Sequence, residues 1–223
     1  MQIVLTTLLI LLVAPAGSSN PSPQPRVALP ARQIVLTIDD LPAQRAPGLS
    51  TEHLERLTGS ILSVLENQRI PAVGFVNEDK LYSDGELVQS QVEILKRWLD
   101  TGIELGNHSF SHPDLHRTPL EEFETDVLEG EEISRPLAAA MDVPYRYFRH
   151  PFLHTGLDLG TKTSLEDFLK QHGYTVAPVT IDNSEWIFAR AFDEALTRGV
   201  ERSFFSGEPT TAQWVQDLAG LEE

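Results

Sequence analysis

The sequence predicts an α/β fold with a parallel sheet or barrel. Strand-like runs alternate with segments of helical periodicity along most of the chain, and this alternation is typical of βαβ units. The first strand-like run, Gln33–Ile38, is rich in β-branched residues and nearly continuously apolar, as in a strand buried on both faces. Polar residues follow several predicted strands, and in α/β folds functional side chains gather at the carboxyl ends of the strands.

The start of the chain is expected to be a targeting segment. Ile3–Val13 is an apolar run interrupted only by two threonines, and Ala14–Ala16 offers the small residues that a signal peptidase reads. We therefore expect a signal peptide over residues 1–16, with a buried N-terminal strand as the alternative. Residues 17–32 are rich in Ser, Pro, Gln and Asn, which indicates a linker. The leader predicts export to the periplasm or outside the cell without a stable membrane span, and a folded domain over residues 33–223.

The later elements follow from their own patterns. Ser50 and Thr51 form a capping signal before apolar residues at helical spacing, which predicts a helix over Thr51–Asn67. Pro119 suits the first turn of a helix over Pro119–Ala140. The other predicted strands are Ala72–Val76, Ile103–Gly106, Arg146–Arg149 and Thr175–Ile181, and the other predicted helices are Leu87–Asp100, Ser164–Gln171, Ile187–Phe205 and a polar helix over Thr210–Glu223.

Composition narrows the possible functions. The chain has 223 residues, which suits one well-buried domain. It carries 17 Lys and Arg against 33 Asp and Glu, a formal net charge of −16. A field of that sign repels phosphate backbones, so we expect no nucleic-acid partner. The chain has no cysteine, which excludes disulfides, thiolate metal sites and cysteine nucleophiles.

Two carboxylates and two histidines indicate a catalytic metal site. Asp39 and Asp40 follow the first strand-like run, and His108 and His112 follow the third. One Asp and two neutral imidazoles hold a divalent metal in an open site, and the other Asp can then act as a base beside it. Taken alone, the Asp pair could form a turn and the two histidines could lie on a helix surface. Their placement after separate predicted strands favours one shared site.

Four segments together resemble the polysaccharide deacetylases with a NodB homology domain, carbohydrate esterase family 4. Thr37–Pro42 resembles the motif Thr-Phe-Asp-Asp-Gly-Pro, and His108–His112 resembles His-Ser/Thr-x-x-His. Arg149–Phe152 matches Arg-x-Pro-Tyr/Phe. Asp182–Trp186 resembles Asp-x-x-Asp-Trp, with Glu185 in place of the second Asp. The resemblance implies a distorted (β/α)7-type barrel.

The resemblance also implies a role for each matched residue. It makes Asp39 the general base, held by Arg149, and the Phe152 N–H a donor to the oxyanion. It implies a divalent metal, zinc first, with cobalt, manganese or nickel as alternatives. The implied metal ligands are Asp40, His108 and His112, and the implied substrate-binding residues are Pro151, Asp182 and Trp186.

The implied reaction is removal of acetyl groups from an N- or O-acetylated polysaccharide through a metal-bound water. The glycan would be chitin-like, peptidoglycan or an exopolysaccharide. The family's last motif, Leu-x-His, supplies the general acid, and no histidine follows His172 in this sequence. We therefore expect a barrel that is atypical or truncated at its C-terminus, with His150 or His154 as possible substitutes for the acid. Two alternatives stay open: a weakly active or inactive glycan-binding remnant, and a small amide or imide hydrolase of the same fold.

Overall fold

The computed structural model describes residues 34–44, 46–182, 184 and 186–188 of the 223-residue chain. The chain divides into two units, Met1–Ile34 and Val35–Glu223, and all strands and helices of the described residues lie in the second. The predicted leader and linker, the C-terminal polar helix and most of the predicted helix Ile187–Phe205 lie outside the described residues. No helix within the described ranges is long and apolar enough to cross a membrane.

Strands and helices alternate through this unit as predicted. In chain order the elements are β1 (Leu36–Leu41), α1 (Thr51–Gln68), β2 (Ala72–Val76), β3 (Tyr82–Ser83), β4 (Glu86–Leu87), α2 (Gln89–Asp100), β5 (Glu104–Asn107), α3 (Leu120–Glu129), α4 (Ser134–Ala140), β6 (Tyr147–Phe148), α5 (Leu159–Gln171) and β7 (Thr175–Val176). Single 3-10 turns cover Ala46–Gly48, Glu78–Leu81 and Pro151–Leu153.

Five of the strands form one parallel sheet in the order β1-β2-β5-β6-β7. Neighbours in this sheet therefore follow the order of the chain. A doubly wound sheet reverses its strand order part way across, whereas a strand order that never reverses is that of a barrel wall. The α/β class with a parallel sheet is confirmed, and the arc of five strands is consistent with the predicted distorted barrel.

The core lies between the parallel sheet and the helices that connect its strands. All five residues of β2 are buried, and Phe75 is fully enclosed. From α2, Leu95 and Trp98 are buried in the same core cluster as Leu105 of β5. This rigid sheet fixes where each strand ends, and so fixes the positions of the residues that follow.

The first strand differs from its predicted bounds. β1 begins at Leu36 rather than Gln33 and runs on to Leu41, so Asp39 and Asp40 lie inside the strand. The prediction of burial on both faces is wrong, since Leu36 is 43% exposed. The physical reason is its position: among the described strands β1 pairs only with β2 and forms an edge of the sheet.

The single helix predicted over Pro119–Ala140 is two helices, α3 and α4. Gly130 ends α3, and a Cβ there would lie 2.4 Å from the Ser109 carbonyl carbon. The buried carboxylate of Glu78 then accepts the backbone N–H groups of Ile133 and Ser134 at 2.9 and 2.6 Å. A distant acid therefore starts α4, which no local pattern in this segment could reveal.

Three other boundaries differ by two or more residues. α5 begins at Leu159 rather than Ser164, because the Asp158 carboxylate caps it by accepting the Thr161 N–H at 2.9 Å. The strand predicted to run to Ile181 ends at Val176. α2 begins two residues later than predicted, and the short hairpin of β3 and β4 before it was not predicted.

Candidate metal centre

The strand ends bring three potential metal ligands together. Asp40 lies near the end of β1, and His108 is the first residue after β5. Backbone hydrogen bonds continue the sheet past its ends, with the His108 N–H donating to Val76 O at 3.0 Å. One ligand atom from each of Asp40, His108 and His112 lies within 4.8 Å of the others. The predicted ligand set therefore forms a single group.

Both histidines are in the state that metal binding requires. Burial lowers the pKa of His108 to about 3, with the Arg149 carbonyl opposing this shift and His112 adding to it. Burial also lowers the pKa of His112. Both rings are therefore neutral near pH 7. The two rings meet edge-on at 77°, with their centroids 4.8 Å apart, so their nitrogen lone pairs can converge on one ion.

The tautomer of His108 follows from its contact with Arg149. The His108 Nδ1 lies 2.8 Å from the backbone oxygen of Arg149, and a carbonyl oxygen only accepts. Nδ1 therefore carries the hydrogen, which leaves the Nε2 lone pair free to bind a metal. With one carboxylate and two neutral imidazoles converging, the residues present fit a divalent ion of the zinc type.

A lysine that sequence reasoning missed contacts the same group. Lys80 Nζ lies 2.9 Å from Asp40 Oδ1 and 2.6 Å from the Asn77 side-chain oxygen. Burial raises the pKa of Asp40, but the charge and hydrogen bond of Lys80 and the two nearby imidazoles outweigh it and hold that pKa below its usual value. Asp40 is therefore ionised at neutral pH. No pattern around Lys80 in the sequence indicated this contact.

Asp39 lies beside the ligand group, next to a buried arginine. Its Oδ2 is 3.9 Å from His108 Nε2 and 4.0 Å from Arg149 Nε. Arg149 is 1% exposed, donates to the Thr37 hydroxyl at 3.0 Å and lies over the Phe75 ring. Burial lowers the pKa of Arg149, and Asp39 opposes this shift. Asp39 and Arg149 are thus adjacent, as predicted. The role of Asp39 as general base and the role of Arg149 in orienting it stay predictions.

Two further residues that the sequence did not indicate shape the loop from His108 to His112. The buried Asn107 side chain donates to Val127 O and Tyr174 Oη, both at 2.8 Å, and accepts the Ser109 N–H at 2.6 Å. From α3, the Asp126 carboxylate accepts the backbone N–H groups of residues 110 and 111. Ser109 has a φ of 68°, so these bonds hold the loop in a conformation that a free chain rarely adopts.

Beyond Arg149, the segment that follows β6 contacts the ligand group through the ring of Phe152. Pro151 is buried and Phe152 is 56% exposed. The Phe152 ring meets the His112 ring edge-on, with centroids 4.5 Å apart, and the Phe152 backbone has a φ of 55°. The predicted oxyanion donor, the Phe152 N–H, therefore belongs to a residue that contacts a predicted ligand, and its role stays a prediction.

The fourth motif is described only at residues 182, 184 and 186, and its role in binding substrate stays a prediction. Asp182 is exposed, and its carboxylate accepts the Ser184 N–H at 2.8 Å, which closes a local turn. Trp186 is 57% exposed. Of the substitute acids, His150 is buried beside Phe148, and burial lowers its pKa to about 4. A neutral, enclosed ring is poorly placed to donate a proton at neutral pH.

A second group of potential ligands lies near Phe152. One ligand atom from each of Asp114, His116 and His154 lies within 4.8 Å of the others. However, the two imidazole rings are stacked at 7°, with centroids 3.7 Å apart, and in-plane lone pairs on parallel rings cannot meet at one ion. His154 Nδ1 lies 2.6 Å from Asp114 Oδ1, so we interpret the group as a polar clamp on the Phe152 segment.

Comparison with known proteins agrees with the motifs. The family model described as polysaccharide deacetylase matches residues 26–177. A chitooligosaccharide deacetylase of Bradyrhizobium sp. (strain ANU 289) is 30% identical over 134 residues, which cover 58% of this chain and 53% of the relative. A peptidoglycan-N-acetylglucosamine deacetylase of Bacillus cereus is 25% identical over 178 residues, covering 78% of this chain and 53% of the relative. The chain thus spans about half the length of the curated relatives it matches.

A solved structure shares the fold. The family 4 carbohydrate esterase from Streptomyces lividans, solved in complex with acetate, superposes with a TM-score of 0.51. It is 20% identical in sequence, and the match covers 76% of this chain and 72% of that one. At this level of identity the likeness concerns the fold alone.

Proposed function

We propose that this chain, which belongs to the polysaccharide deacetylase family, is a metal-dependent hydrolase that removes acetyl groups from an N- or O-acetylated glycan. A chitin-like oligomer or peptidoglycan is the substrate class that the named relatives suggest. An exopolysaccharide is a further candidate.

One observation carries this proposal: Asp40, His108 and His112 converge within 4.8 Å, with Asp39 beside them. Three protein ligands leave an open coordination position, as in catalytic rather than structural metal sites. A carboxylate that is not a ligand then lies within reach of a water at that position. This division into three ligands and one base is the arrangement that hydrolysis requires.

The side chains would share the chemistry as follows. When bound, a divalent ion supplies Lewis acidity that polarises an acetyl carbonyl and eases deprotonation of a water. Asp39 takes the proton of the attacking water as general base. Arg149, 4.0 Å away, orients that carboxylate and favours its charged form. The Phe152 N–H is proposed to donate to the oxygen that becomes negative in the transition state.

Acetate release by the full chain tests the proposal. Chitin pentamer, peptidoglycan and a small N-acetyl amide are incubated with protein in the presence of zinc or cobalt, and then with a chelator. Asp39→Asn is compared with Asp167→Asn, a matched change on the exposed face of α5. We expect metal-dependent release of acetate from a glycan. The rate should fall roughly 10²- to 10⁴-fold in Asp39→Asn and stay at the wild-type value in Asp167→Asn.

Other outcomes separate the alternatives. A folded, metal-loaded chain that binds glycan without releasing acetate would favour the glycan-binding remnant. Release from the small amide alone would favour the small amide hydrolase. Equal rates for Asp39→Asn and wild type would remove Asp39 from the mechanism.

We also propose that the chain is exported. The apolar run Ile3–Val13 followed by Ala14–Ala16 supports a cleavable leader, and an acetylated cell-envelope glycan would be met outside the cytoplasm. Expression of the full chain in a bacterial host, with N-terminal sequencing of the exported protein, would find a new terminus near residue 17. A full-length protein retained in the cytoplasm would contradict export.

A further inference from the structure

We propose that Lys80 competes with the divalent ion for Asp40 and thereby makes metal binding at this centre weak and readily reversible. The inference rests on the proposed function, because it assumes that Asp40, His108 and His112 bind a metal. It concerns what this chain adds to that ligand set: a fixed positive charge within the group itself.

Lys80 contacts the same Asp40 oxygen that lies toward the ligand His112. Asp40 Oδ1 lies 3.9 Å from His112 Nε2 and 2.9 Å from Lys80 Nζ. The oxygen that faces a ligand nitrogen is therefore the one bound to the ammonium. A carboxylate oxygen has lone pairs for two partners, but two cations sharing it would lie within a few ångströms and repel.

The Lys80 ammonium is held in place by two oxygens. The Lys80 side chain is only 11% exposed, and Nζ also donates to Asn77 Oδ1 at 2.6 Å. Asn77 is itself fixed, since its amide nitrogen donates to the His108 carbonyl at 2.5 Å and its backbone N–H to Leu41 O at 3.3 Å. Because the Asn77 amide nitrogen is occupied, its oxygen must face Lys80. The lysine cannot turn away without breaking both bonds.

Lys80 also cancels negative charge around the ligand group. With both imidazoles neutral, the carboxylates of Asp39 and Asp40 face the cations of Lys80 and Arg149, and the carboxylate of Asp79 also interacts with Lys80 and His112. A divalent ion entering the group therefore meets less negative charge than these carboxylates would provide without Lys80. Removing the Lys80 charge makes the group more negative by one charge and frees the Asp40 oxygen, and both changes favour the metal.

The zinc affinity of the full chain, measured by isothermal titration calorimetry, tests the inference. Wild type is compared with Lys80→Met, with Lys80→Gln, which keeps a donor but loses the charge, and with Lys80→Arg, which keeps the charge. Lys96→Met is the matched control, because Lys96 is 48% exposed and pairs with Glu93 on its own helix.

We expect both uncharged variants to bind zinc at least about tenfold more tightly than wild type, the equivalent of losing one hydrogen bond between charged groups. Lys80→Arg and Lys96→Met should bind as wild type does. A second readout is thermal unfolding: without metal the uncharged variants should melt lower than wild type, because Asp40 loses its counter-charge, and with zinc they should gain more.

The results separate this inference from the proposed function. If wild type binds zinc as tightly as both uncharged variants, or more tightly, the role of Lys80 is overturned and the metal centre stands. Absence of zinc binding in wild type and both variants overturns the metal centre and the inference together. Binding by the uncharged variants alone supports the inference in its strongest form. If Lys80→Met fails to fold without metal, Lys80→Gln carries the comparison.

Discussion

Asn107 offers a sharp test of how the structure positions the metal centre. Its side chain is fully buried and makes three hydrogen bonds, to Val127 O, Tyr174 Oη and the Ser109 N–H. Asn107→Ala removes all three and leaves Val127 O and the Ser109 N–H without these partners. Each buried group left unpaired costs about 1–3 kcal/mol, so we expect a loss of about 3–5 kcal/mol in the free energy of unfolding.

Urea unfolding of the metal-free chain at neutral pH measures this loss. Asn67→Ala on the exposed face of α1, where among the described residues the side chain bonds Ser63 alone, is the control and should change stability by less than about 0.5 kcal/mol. Because Asn107 also shapes the loop between His108 and His112, zinc affinity should fall by about 10- to 100-fold.

A destabilisation below about 1 kcal/mol with an unchanged m-value would refute the reasoning, because the three bonds would then contribute less than one ordinary hydrogen bond. If Asn107→Ala does not fold, Tyr174→Phe serves instead. It removes the bonds of the Tyr174 hydroxyl to Asn107 and Glu131 and keeps the bonds of Asn107 to Val127 O and the Ser109 N–H. The expected loss is therefore smaller, and the loop should retain more of its metal affinity.

Three more predictions follow from packing, burial and capping. Gly130→Ala should lower the free energy of unfolding by about 2 kcal/mol or more, because its Cβ would meet the Ser109 backbone at 2.4 Å. Gly48→Ala, with nothing within 4 Å of its Cβ, should leave the free energy of urea unfolding unchanged. Burial lowers the pKa of His150 to about 4, so the unfolded chain takes the proton first, and stability falls as the pH drops from about 6.5 to 4. His150→Leu should therefore show about 2 kcal/mol less destabilisation between pH 7 and 5 than wild type, and an unchanged pH profile would contradict this. Asp158→Ala should cost about 1 kcal/mol by removing the cap of α5; no change in thermal unfolding would show that the cap contributes nothing.

Local patterns predicted the parts of the fold that depend on local causes. The predicted bounds of β2 match the structure, and those of α1 differ by one residue. A buried strand and a capped amphipathic helix can be predicted from the pattern of residues that are close together in the sequence. The prediction of one helix over Pro119–Ala140 was wrong because Glu78, 55 residues away, starts α4. The sequence of the capped segment contains no pattern that indicates such a distant partner.

For the metal centre, the sequence by itself determined the ligand types and their order along the chain. His108, His112 and one of Asp39 and Asp40 could be named because parallel strands in one sheet place their carboxyl ends at a common edge, whatever the details of packing. The resemblance to the polysaccharide deacetylases then implied that the ligand is Asp40. The C-terminal motif around Asp182 and Trp186 followed the same reasoning, yet both residues are exposed and stay untested as substrate contacts.

Only the tertiary structure decided the charge and rigidity of that centre. Lys80 reaches Asp40, and Asn107 bonds Tyr174, across separations of 40 and 67 residues. Such contacts depend on the direction of side chains from different elements, and a lysine in a short 3-10 turn or an asparagine at a strand end has no periodicity that reveals its partner. The ligands thus follow from topology, while the free energy with which they hold a metal follows from contacts that only packing creates.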